Sequence, residues 1–479
     1  MTSSAGAPRR PTRSDGMRLP CGSSSEPVDT RAQRRLVWAP SIQTPPMSPF
    51  PSTRGASLPA DQTTVRRANL SVVLRHVASA GPRSRAQVAA ETGLTRGTVS
   101  SLVTELIALD LLRETGEATA PRGIGRPGVA LELADVVVGI GLEVNVDYLA
   151  VSVEDMTGTV RYERRAHRDN RGCAPGPVLD RLGRAARAAL DAAAREGLRP
   201  VGVSVAVPGL VEEASGTVVL APNLGWSELP VAAELEARLG LPVHVENESN
   251  LAALAEHWTG AAVGIDDFVC VFGEVGVGGG VVLGGRLFRG SHGFGGEFGH
   301  VSVDPAGRPC ACGSRGCVET LVGEEAIARA AGITPATSRG RSLTDELIRR
   351  AEDGSPSTLA ALADAGRWLG VALASTFNLF DVRAVVLGGC FGPLSPWLVD
   401  DVRRTLRERS LAARSGTFEV LPSAFGDGAA VRGAAALALH RLLDQPWTAR
   451  AADDIEVMSS RVSAPRATRR GREVAIGRR

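Results

Sequence analysis

A chain of 479 residues is too long for one ordinary hydrophobic core, so its length predicts two or three domains with tails. Hydrophobic residues make up 43% and charged residues 22% of the chain, and Gly or charge interrupts the apolar runs before membrane-spanning length, which predicts no transmembrane helix. The net charge of +2 does not by itself indicate a nucleic-acid binder, and a sequence without lysine excludes catalysis by a P-loop or Schiff-base lysine.

Both ends of the chain are predicted to be tails. Residues 1–62 are rich in Pro, Ser and Arg and have neither helical nor strand periodicity, which predicts a disordered segment. No apolar stretch follows Arg9 and Arg10, so these arginines do not form a secretory signal, and the cytoplasm is the expected compartment. Residues 448–479 are polar and end in a strongly basic stretch, which favours a solvated tail.

Residues 63–134 have the pattern of a winged helix-turn-helix. Ser84, followed three residues later by Gln87, predicts the start of the second helix, and Thr95 predicts the cap of the third. Two apolar stretches then predict strands joined by a polar, Gly-rich wing at 114–128. The positions expected to pack between the three helices are Leu70, Val73, Leu74, Val77, Val88, Ala89, Val99, Leu102, Val103 and Leu106.

The third helix of this domain is the predicted DNA-recognition helix. Its polar first turns lie where helix-turn-helix proteins contact base edges, and arginines on a Gly/Pro-rich wing suit a narrow minor groove. The same helices could instead form a protein-interaction domain, since helix spacing alone does not prove insertion into a groove. The predicted DNA-contacting residues are Arg96, Thr98, Ser100 and Ser101 on the helix and Arg122 and Arg126 on the wing.

From residue 135 to residue 447, segments with strand and helix patterns alternate. Buried strands such as 201–207 are separated by amphipathic helices such as 177–195. This alternation predicts α/β sheets covered by helices, and about 310 residues suit two lobes around a cleft.

A compact group of metal-ligand residues lies within 300–317. Gly299-His300 is followed after nine residues by Cys310-Ala-Cys312-Gly-Ser-Arg-Gly-Cys317. One imidazole and three thiolates form a complete tetrahedral set for Zn²⁺ and leave no open position, which favours one structural zinc per chain. The alternative is a chance cluster of free thiols. The predicted ligands are His300, Cys310, Cys312 and Cys317.

With these residues the chain resembles the ROK family, which comprises bacterial repressors and sugar kinases with an actin/hexokinase-like (ribonuclease H-like) α/β fold of two lobes. The resemblance extends from about residue 63 to residue 445. The N-terminal winged helix-turn-helix resembles that of the family's regulators for xylose, glucose and N-acetylglucosamine, which the stand-alone kinases lack. The motifs that carry the resemblance are Glu297-Phe-Gly-His300, Cys310-x-Cys312-Gly-x-x-Gly-Cys317-x-Glu319, Val245-Glu-Asn247 with Leu251-Ala-Ala-Leu-Ala-Glu256, and Gly276-Val-Gly-Gly-Gly280.

The resemblance implies a sugar site. In family kinases, sugar hydroxyls are held by the Asn of a Glu-Asn-Asp motif, by the Glu and His of Glu-x-Gly-His, and by the Glu after the last cysteine. The matching positions are Asn247, Glu297, His300 and Glu319. The family's catalytic Asp falls on Glu248, which is predicted to be a fifth residue of the sugar site. A zinc-bound imidazole can offer its other N–H to a ligand, so zinc and sugar would share His300.

The parts that a kinase needs for catalysis depart from the family pattern. Glu248 is one methylene longer than the family base, which can displace the carboxylate by about 1 Å and cost ~100-fold in rate. The first phosphate loop reads Gly139-Ile-Gly141-Leu-Glu143-Val-Asn145, without the family's Asp and Thr, and the second has Glu274-Val275 in place of Gly-Thr. Only the element ending at Gly388-Gly389 keeps the pattern of a nucleotide-binding turn. The sequence therefore predicts that kinase activity is lost.

The primary hypothesis is a sugar-responsive, DNA-binding transcriptional regulator that represses carbohydrate-utilisation genes. Its expected partners are operator DNA and a sugar or sugar phosphate effector, and two DNA half-sites favour a symmetric dimer or tetramer. One alternative is a bifunctional kinase that phosphorylates a hexose with ATP and also binds DNA. Another is a scaffold that binds neither sugar nor DNA.

Overall fold

The computed structural model describes residues 61–118, 128–334 and 342–452. The N-terminal part is a unit of three helices and a small antiparallel sheet in which β3 lies between β1 and β2. Its elements are α1 (Gln62–Ala80), β1 (Arg83–Ser84), α2 (Arg85–Thr92), α3 (Arg96–Ala108), β2 (Leu112–Ala118) and β3 (Val129–Leu133).

Local sequence signals define the helices of this unit. The Gln87 side chain accepts from the Ser84 backbone N–H at 2.8 Å and the Ser84 hydroxyl accepts from the Gln87 N–H, so the predicted capping box at the start of α2 is confirmed. The Thr95 hydroxyl accepts from the Thr98 N–H at 3.2 Å and starts α3. Gly93 ends α2 in the left-handed conformation, with φ +76°, which glycine adopts without a steric cost. All ten apolar positions predicted to pack between the helices are buried.

The rest of the chain forms two lobes with the same sheet topology. Each sheet has five strands, ordered β6-β5-β4-β7-β11 in the first lobe and β14-β13-β12-β15-β16 in the second. In each lobe the first, second and third strands of this order pair in antiparallel fashion, and the third, fourth and fifth strands pair in parallel. The predicted two-lobed α/β architecture is therefore confirmed.

The first lobe also carries a small sheet, β8 to β10, which the sequence pattern did not predict. β4 and β5 are buried along their whole length, as expected for central strands covered on both faces. The elements of the first lobe are β4 (Val137–Val144), β5 (Tyr148–Asp155), β6 (Val160–His167), α4 (Pro175–Arg195), β7 (Arg199–Val207), β8 (Leu210–Glu212), β9 (Thr217–Ala221), β10 (Trp226–Leu229), α5 (Val231–Leu239), β11 (Val243–Asn247) and α6 (Glu248–Thr259).

The second lobe has its own large core, in which β12 and β15 pack against α10 and α11. None of the helices in the described residues has an apolar stretch long enough to cross a membrane. The elements of the second lobe are β12 (Phe268–Gly273), β13 (Val277–Leu283), β14 (Arg286–Leu287), α7 (Glu319–Val322), α8 (Glu324–Ala330), α9 (Leu343–Glu352), α10 (Pro356–Phe380), β15 (Ala384–Gly389), α11 (Phe391–Arg409), α12 (Leu411–Ser415) and β16 (Glu419–Pro422). The chain then returns to the first lobe with α13 (Ala429–Asp444).

The last helix, α13, lies on β4 of the first lobe and against α6. Two glycines of the segment interpreted as the first phosphate loop, Gly139 and Gly141, lie inside β4. A Cβ at position 141 would lie 2.1 Å from the Val431 carbonyl oxygen, and one at Gly433 would lie 1.9 Å from the Leu251 carbonyl oxygen. These glycines therefore allow the backbones around α13 to pack closely. This packing explains the two glycines at 139 and 141 without any contact to phosphate.

The same helix also contacts the winged helix. Leu439 and Leu442 pack into the apolar cluster that contains the core of α1 and α3. The Ser71 hydroxyl donates to the Leu443 carbonyl at 2.6 Å. The residues 446–452, of which 448–452 belong to the predicted tail, form a 3₁₀ helix in which Ala449 is buried. The folded part thus extends past the predicted boundary at 447, because this turn packs where the winged helix meets α13.

Candidate functional site

A single cleft collects all the residues that the resemblance implied for sugar binding. Asn247 ends β11, Glu248 begins α6, Glu297 and His300 flank a 3₁₀ turn, and Glu319 begins α7. All five line the same pocket. Polar residues that were not predicted as sugar ligands line it as well, namely Asn145, Asn223, Glu274 and Asp427.

Asn247 is engaged mainly in building the cleft. Its side-chain oxygen caps α6 by accepting from the backbone N–H groups of Ser249 at 2.8 Å and Asn250 at 3.1 Å. Its side-chain nitrogen donates to the Gly209 carbonyl at 2.9 Å. One N–H of the amide is left for a ligand, so this side chain positions the start of α6 and can donate one hydrogen bond into the pocket.

Behind Asn247, Glu246 fixes the conformation of the turn into α6. One carboxylate oxygen accepts from the Asn247 backbone N–H at 2.9 Å and from the Asn250 side chain at 3.0 Å, and the other pairs with Arg289 at 2.8 Å. Sequence reasoning missed this role, although a charged residue inside an apolar strand pattern is a signal that the residue has a buried partner.

Glu319 and His300 connect the cleft to the cysteine cluster. A carboxylate oxygen of Glu319 accepts from the Val277 N–H at 3.2 Å, and a Cβ at Gly276 would lie 2.6 Å from it, so this oxygen packs closely against the glycine. The Nδ1 atom of His300 lies 3.6 Å from the Cys310 sulfur, while its Nε2 atom lies 4.0 Å from a Glu297 carboxylate oxygen. One ring nitrogen therefore lies toward the cysteines and the other toward the pocket.

The four predicted metal ligands come together. The ligand atoms of His300, Cys310, Cys312 and Cys317 all lie within 4.8 Å of one another, and the Cys312 and Cys317 sulfurs are 3.7 Å apart. A tetrahedron with Zn–S bonds of about 2.3 Å has sulfur–sulfur edges of about 3.8 Å. The donor set and its spacing therefore fit a closed tetrahedral site, and no disulfide joins these thiols.

Buried carboxyl groups lie at the end of the cleft where the resemblance places phosphate loops. Glu143, at the end of β4, is fully buried and accepts from the Tyr148 hydroxyl at 2.7 Å. Glu274 follows β12 and accepts from the Asn145 side chain. Burial and then the neighbouring Glu274 charge raise the pKa of Glu143 to about 8, and burial raises the pKa of Glu274 to about 7. This end of the cleft, which we call the acidic end, thus contains carboxyl groups that hold their protons more tightly than exposed ones.

Glu248 belongs to the same group. Its Oε2 atom is buried and has no hydrogen-bond partner among the residues that the structure describes. Burial, followed by the charges of Glu274 and Glu143, raises the pKa of Glu248 well above its usual range. A buried carboxyl group in this environment holds its proton more tightly than an exposed one, because burial and neighbouring like charges disfavour the charged form.

On the winged helix, the start of α3 is accessible. Arg96, Ser100 and Ser101 are exposed, and Thr98 is half-buried because its hydroxyl lies 2.9 Å from that of Thr95. Ser101 also accepts from Arg66 of α1 at 3.3 Å, a contact that the helix pattern could not predict. The predicted wing residues Arg122 and Arg126 lie outside the described residues.

A winged helix-turn-helix joined to a two-lobed, sugar-kinase-like domain defines a class of DNA-binding sensors. The model of the ROK family matches residues 139–441, and that of the MarR family matches residues 71–122. The chain therefore belongs to the ROK family, among its transcriptional regulators.

Three known proteins show how far the likeness extends. The xylose repressor of Bacillus subtilis is 29% identical over 385 residues, which are 80% of this chain and 98% of that protein. The crystal structure of a ROK family transcriptional regulator, a homologue of the Escherichia coli MLC protein, has a TM-score of 0.69 at 29% identity and covers 80% of this chain and 99% of its own. A ROK family glucokinase from Streptomyces griseus, solved with glucose and AMPPNP, has a TM-score of 0.55 at 31% identity and covers 63% of this chain and 99% of its own.

The regulators thus match the winged helix as well as the lobes, whereas the glucokinase covers a share of the chain comparable to the two lobes. The predicted ROK membership and the predicted actin/hexokinase-like fold are confirmed.

Proposed function

We propose that this protein is a sugar-responsive transcriptional repressor that binds operator DNA through α3 and its wing, and a sugar in the interlobe cleft. The observation that carries the proposal is the convergence of Asn247, Glu248, Glu297, His300 and Glu319 on one pocket in a chain that also presents an exposed recognition helix. Similarity to a xylose repressor makes D-xylose the first effector to test. Operator DNA selected from the gene's own upstream region, titrated with and without sugars in a mobility-shift assay, tests the function.

Within the cleft, the carboxylates would accept hydrogen bonds from sugar hydroxyls, and the free N–H of Asn247 and Nε2–H of His300 would donate. The geometry around His300 supports this role, since its Nε2 faces Glu297 and its Nδ1 faces Cys310.

We propose that the cysteine cluster holds one structural Zn²⁺. His300, Cys310, Cys312 and Cys317 supply four ligand atoms within 4.8 Å of one another, a complete set that leaves no position for a substrate or a reactive water. The metal would hold the segment 300–317 against the cleft and fix the ring of His300. Loss of kinase chemistry and assembly into a symmetric dimer are further parts of the proposal, the first supported by the acidic group around Glu143.

Helix α13 provides a physical connection between the two functions. Its first residues, Ala429 and Ala430, line the pocket, and its last turns pack against α1. Sixteen helical residues span about 24 Å at 1.5 Å each. At the same junction, Arg199 donates to the Leu109 carbonyl at the end of α3, at 2.5 Å, and to the Ala449 carbonyl at 2.8 Å. Movement of α13 on sugar binding would therefore change the support of the recognition helix.

We expect Arg199→Met to uncouple sugar from DNA. Methionine keeps an unbranched stem at this position but has no guanidinium to join the carbonyls of Leu109 and Ala449. Sugar should alter operator affinity by about 5- to 150-fold in the native protein, the usual range of allosteric coupling, and by less than about 2-fold in the variant. Arg195→Met, at an exposed position at the end of α4, is the matched control. Full coupling in Arg199→Met would contradict this role.

The recognition helix gives a separate prediction. Arg96 is exposed at the first position of α3, and Arg96→Ala should relax sequence preference and cost about 1 to 3 kcal/mol if the side chain contacts a base in bidentate fashion. Binding to the selected operator and to scrambled DNA at several salt concentrations measures both effects. Arg195→Ala serves as the control for loss of charge, and unchanged affinity and preference in Arg96→Ala would favour a protein-interaction domain instead.

A further inference from the structure

The charge of the cleft distinguishes between the two effector classes that the sequence left open. The pocket is lined by five acidic side chains, and its histidine, His300, belongs to the proposed metal site. No arginine is among the described lining residues, and the chain contains no lysine. The five acidic residues are Glu248, Glu274, Glu297, Glu319 and Asp427.

An arginine beside the acidic end of the cleft is already engaged. Arg165 of β6 lies with its guanidinium 4.3 Å from the centre of the Tyr148 ring and donates to the Asp427 backbone carbonyl at 2.8 Å. It also lies 3.6 Å from the Asp427 carboxylate. This cation is therefore paired with groups of the protein at the edge of the acidic end, and a phosphate would have to compete with them.

The helix ends that face the pocket also offer little to an anion. At the start of α6, the Asn247 side chain accepts from two of the first N–H groups, and Glu248 occupies the first turn. At the start of α13 no side chain caps the helix, but Asp427 lies two residues before its first residue. A carboxylate at a helix N-terminus offsets the attraction of that end for a second anion.

A buried pair of carboxyl groups makes the acidic end more selective. Glu274 faces the pocket, and Glu143 lies behind it with one oxygen bonded to Tyr148 and the other, Oε2, without a partner among the described residues. A sugar hydroxyl can donate to such carboxyl groups, whereas a phosphate has only acceptor oxygens and brings like charge into a site with few compensating donors.

We propose that the effector is an uncharged, unphosphorylated sugar and that Glu274, supported by Glu143, excludes sugar phosphates and nucleotides from the cleft. This inference rests on the proposed sugar response and narrows it to one ligand class. Glu274 is thereby a specificity-determining residue at the position where a kinase of the same fold would accept phosphate.

Isothermal titration of the full chain with paired ligands tests the inference. The pairs are D-xylose and D-xylose 5-phosphate, D-glucose and glucose 6-phosphate, and N-acetylglucosamine and its 6-phosphate, at pH 7.5. At least one neutral sugar should bind, and its phosphate should bind at least 100-fold more weakly. A phosphate ester that binds as tightly as its parent sugar overturns the inference and leaves the sugar response intact, whereas binding of no member of any pair contradicts both.

The variant Glu274→Gln tests the residue directly. Glutamine keeps an oxygen that can accept from Asn145 but carries no charge, so the discrimination against the phosphate ester should fall at least 10-fold while the neutral sugar still binds. Glu352→Gln, exposed at the end of α9, is the matched control and should keep full discrimination. If Glu274→Gln discriminates against the phosphate ester as strongly as the native protein, Glu274 does not determine this specificity.

The native protein supplies a second measurement that needs no variant. The groups facing Glu143 and Glu274 are Tyr148, Asn145, Asp147, Glu248, Arg165 and Asp427. Because burial raises the pKa values of Glu274 to about 7 and Glu143 to about 8, raising the pH from 7 to 9 deprotonates both and should increase discrimination against the phosphate ester. Discrimination that stays constant over this range would count against the pair.

Discussion

No ATP-dependent phosphorylation of D-glucose, D-xylose or N-acetylglucosamine is expected from the purified protein. A kinase needs a general base and a cradle of donors and cations for the transferred phosphate. At the position that the family resemblance assigns to the base, this chain has the longer Glu248, and buried Glu143 and Glu274 lie at the end of the cleft that the resemblance assigns to phosphate. Turnover should lie at least about 10⁴-fold below the 1–100 s⁻¹ that is typical of kinases.

A coupled assay for ADP release measures this turnover, with the Streptomyces griseus glucokinase as the active reference. The variant Glu248→Asp restores the carboxylate length that the family uses and separates the two causes of inactivity. It should stay inactive, because the acidic groups at the phosphate end remain. Measurable turnover in Glu248→Asp would show that the phosphate site is intact, and ordinary turnover in the native protein would establish the bifunctional kinase.

The winged helix could be predicted in detail because its signals are local. The capping box of Ser84 and Gln87 and the cap at Thr95 each involve residues three positions apart. Such contacts depend on backbone conformation more than on the rest of the fold, so the sequence alone specifies them. The domain boundaries themselves stay predictions, apart from the 3₁₀ helix that extends the folded part past residue 447.

The cleft could be predicted only through the family motifs. Asn145 donates to Glu274 across 129 positions of the chain, and periodicity carries no information about such a pair. The glycines at 139 and 141 have the spacing of a phosphate loop but lie inside β4, where the backbone of α13 leaves no room for a side chain. Asn223 follows β9 in a turn, where asparagine is common for local reasons, so nothing marked it as a pocket residue.

The metal site is the strongest test of what the motif implies. We expect about one zinc per chain in protein purified without chelator, since four ligands at tetrahedral spacing fit Zn²⁺ and no other described group of His, Cys, Asp and Glu comes together in this way. Elemental analysis of the native protein measures the stoichiometry. Protein that contains no zinc under these conditions would contradict the site and favour free thiols.

The variant Cys312→Ser should abolish stoichiometric zinc. Cys312 is the exposed member of the cluster, so its replacement removes a ligand without opening a cavity in the core. Apparent zinc-binding free energies of structural sites are about 10 kcal/mol or more, and losing even part of this should lower the melting temperature by about 10 °C or more. Sugar affinity should fall as well, because the ring of His300 lies between Cys310 and Glu297 and loses its fixed orientation with the metal.

Cys173→Ser, which changes a free thiol outside the cluster, is the control and should retain zinc, stability and sugar binding. If Cys312→Ser keeps its zinc, the four-ligand assignment is wrong, and if it loses zinc but binds sugar with native affinity, His300 does not link the metal site to the cleft.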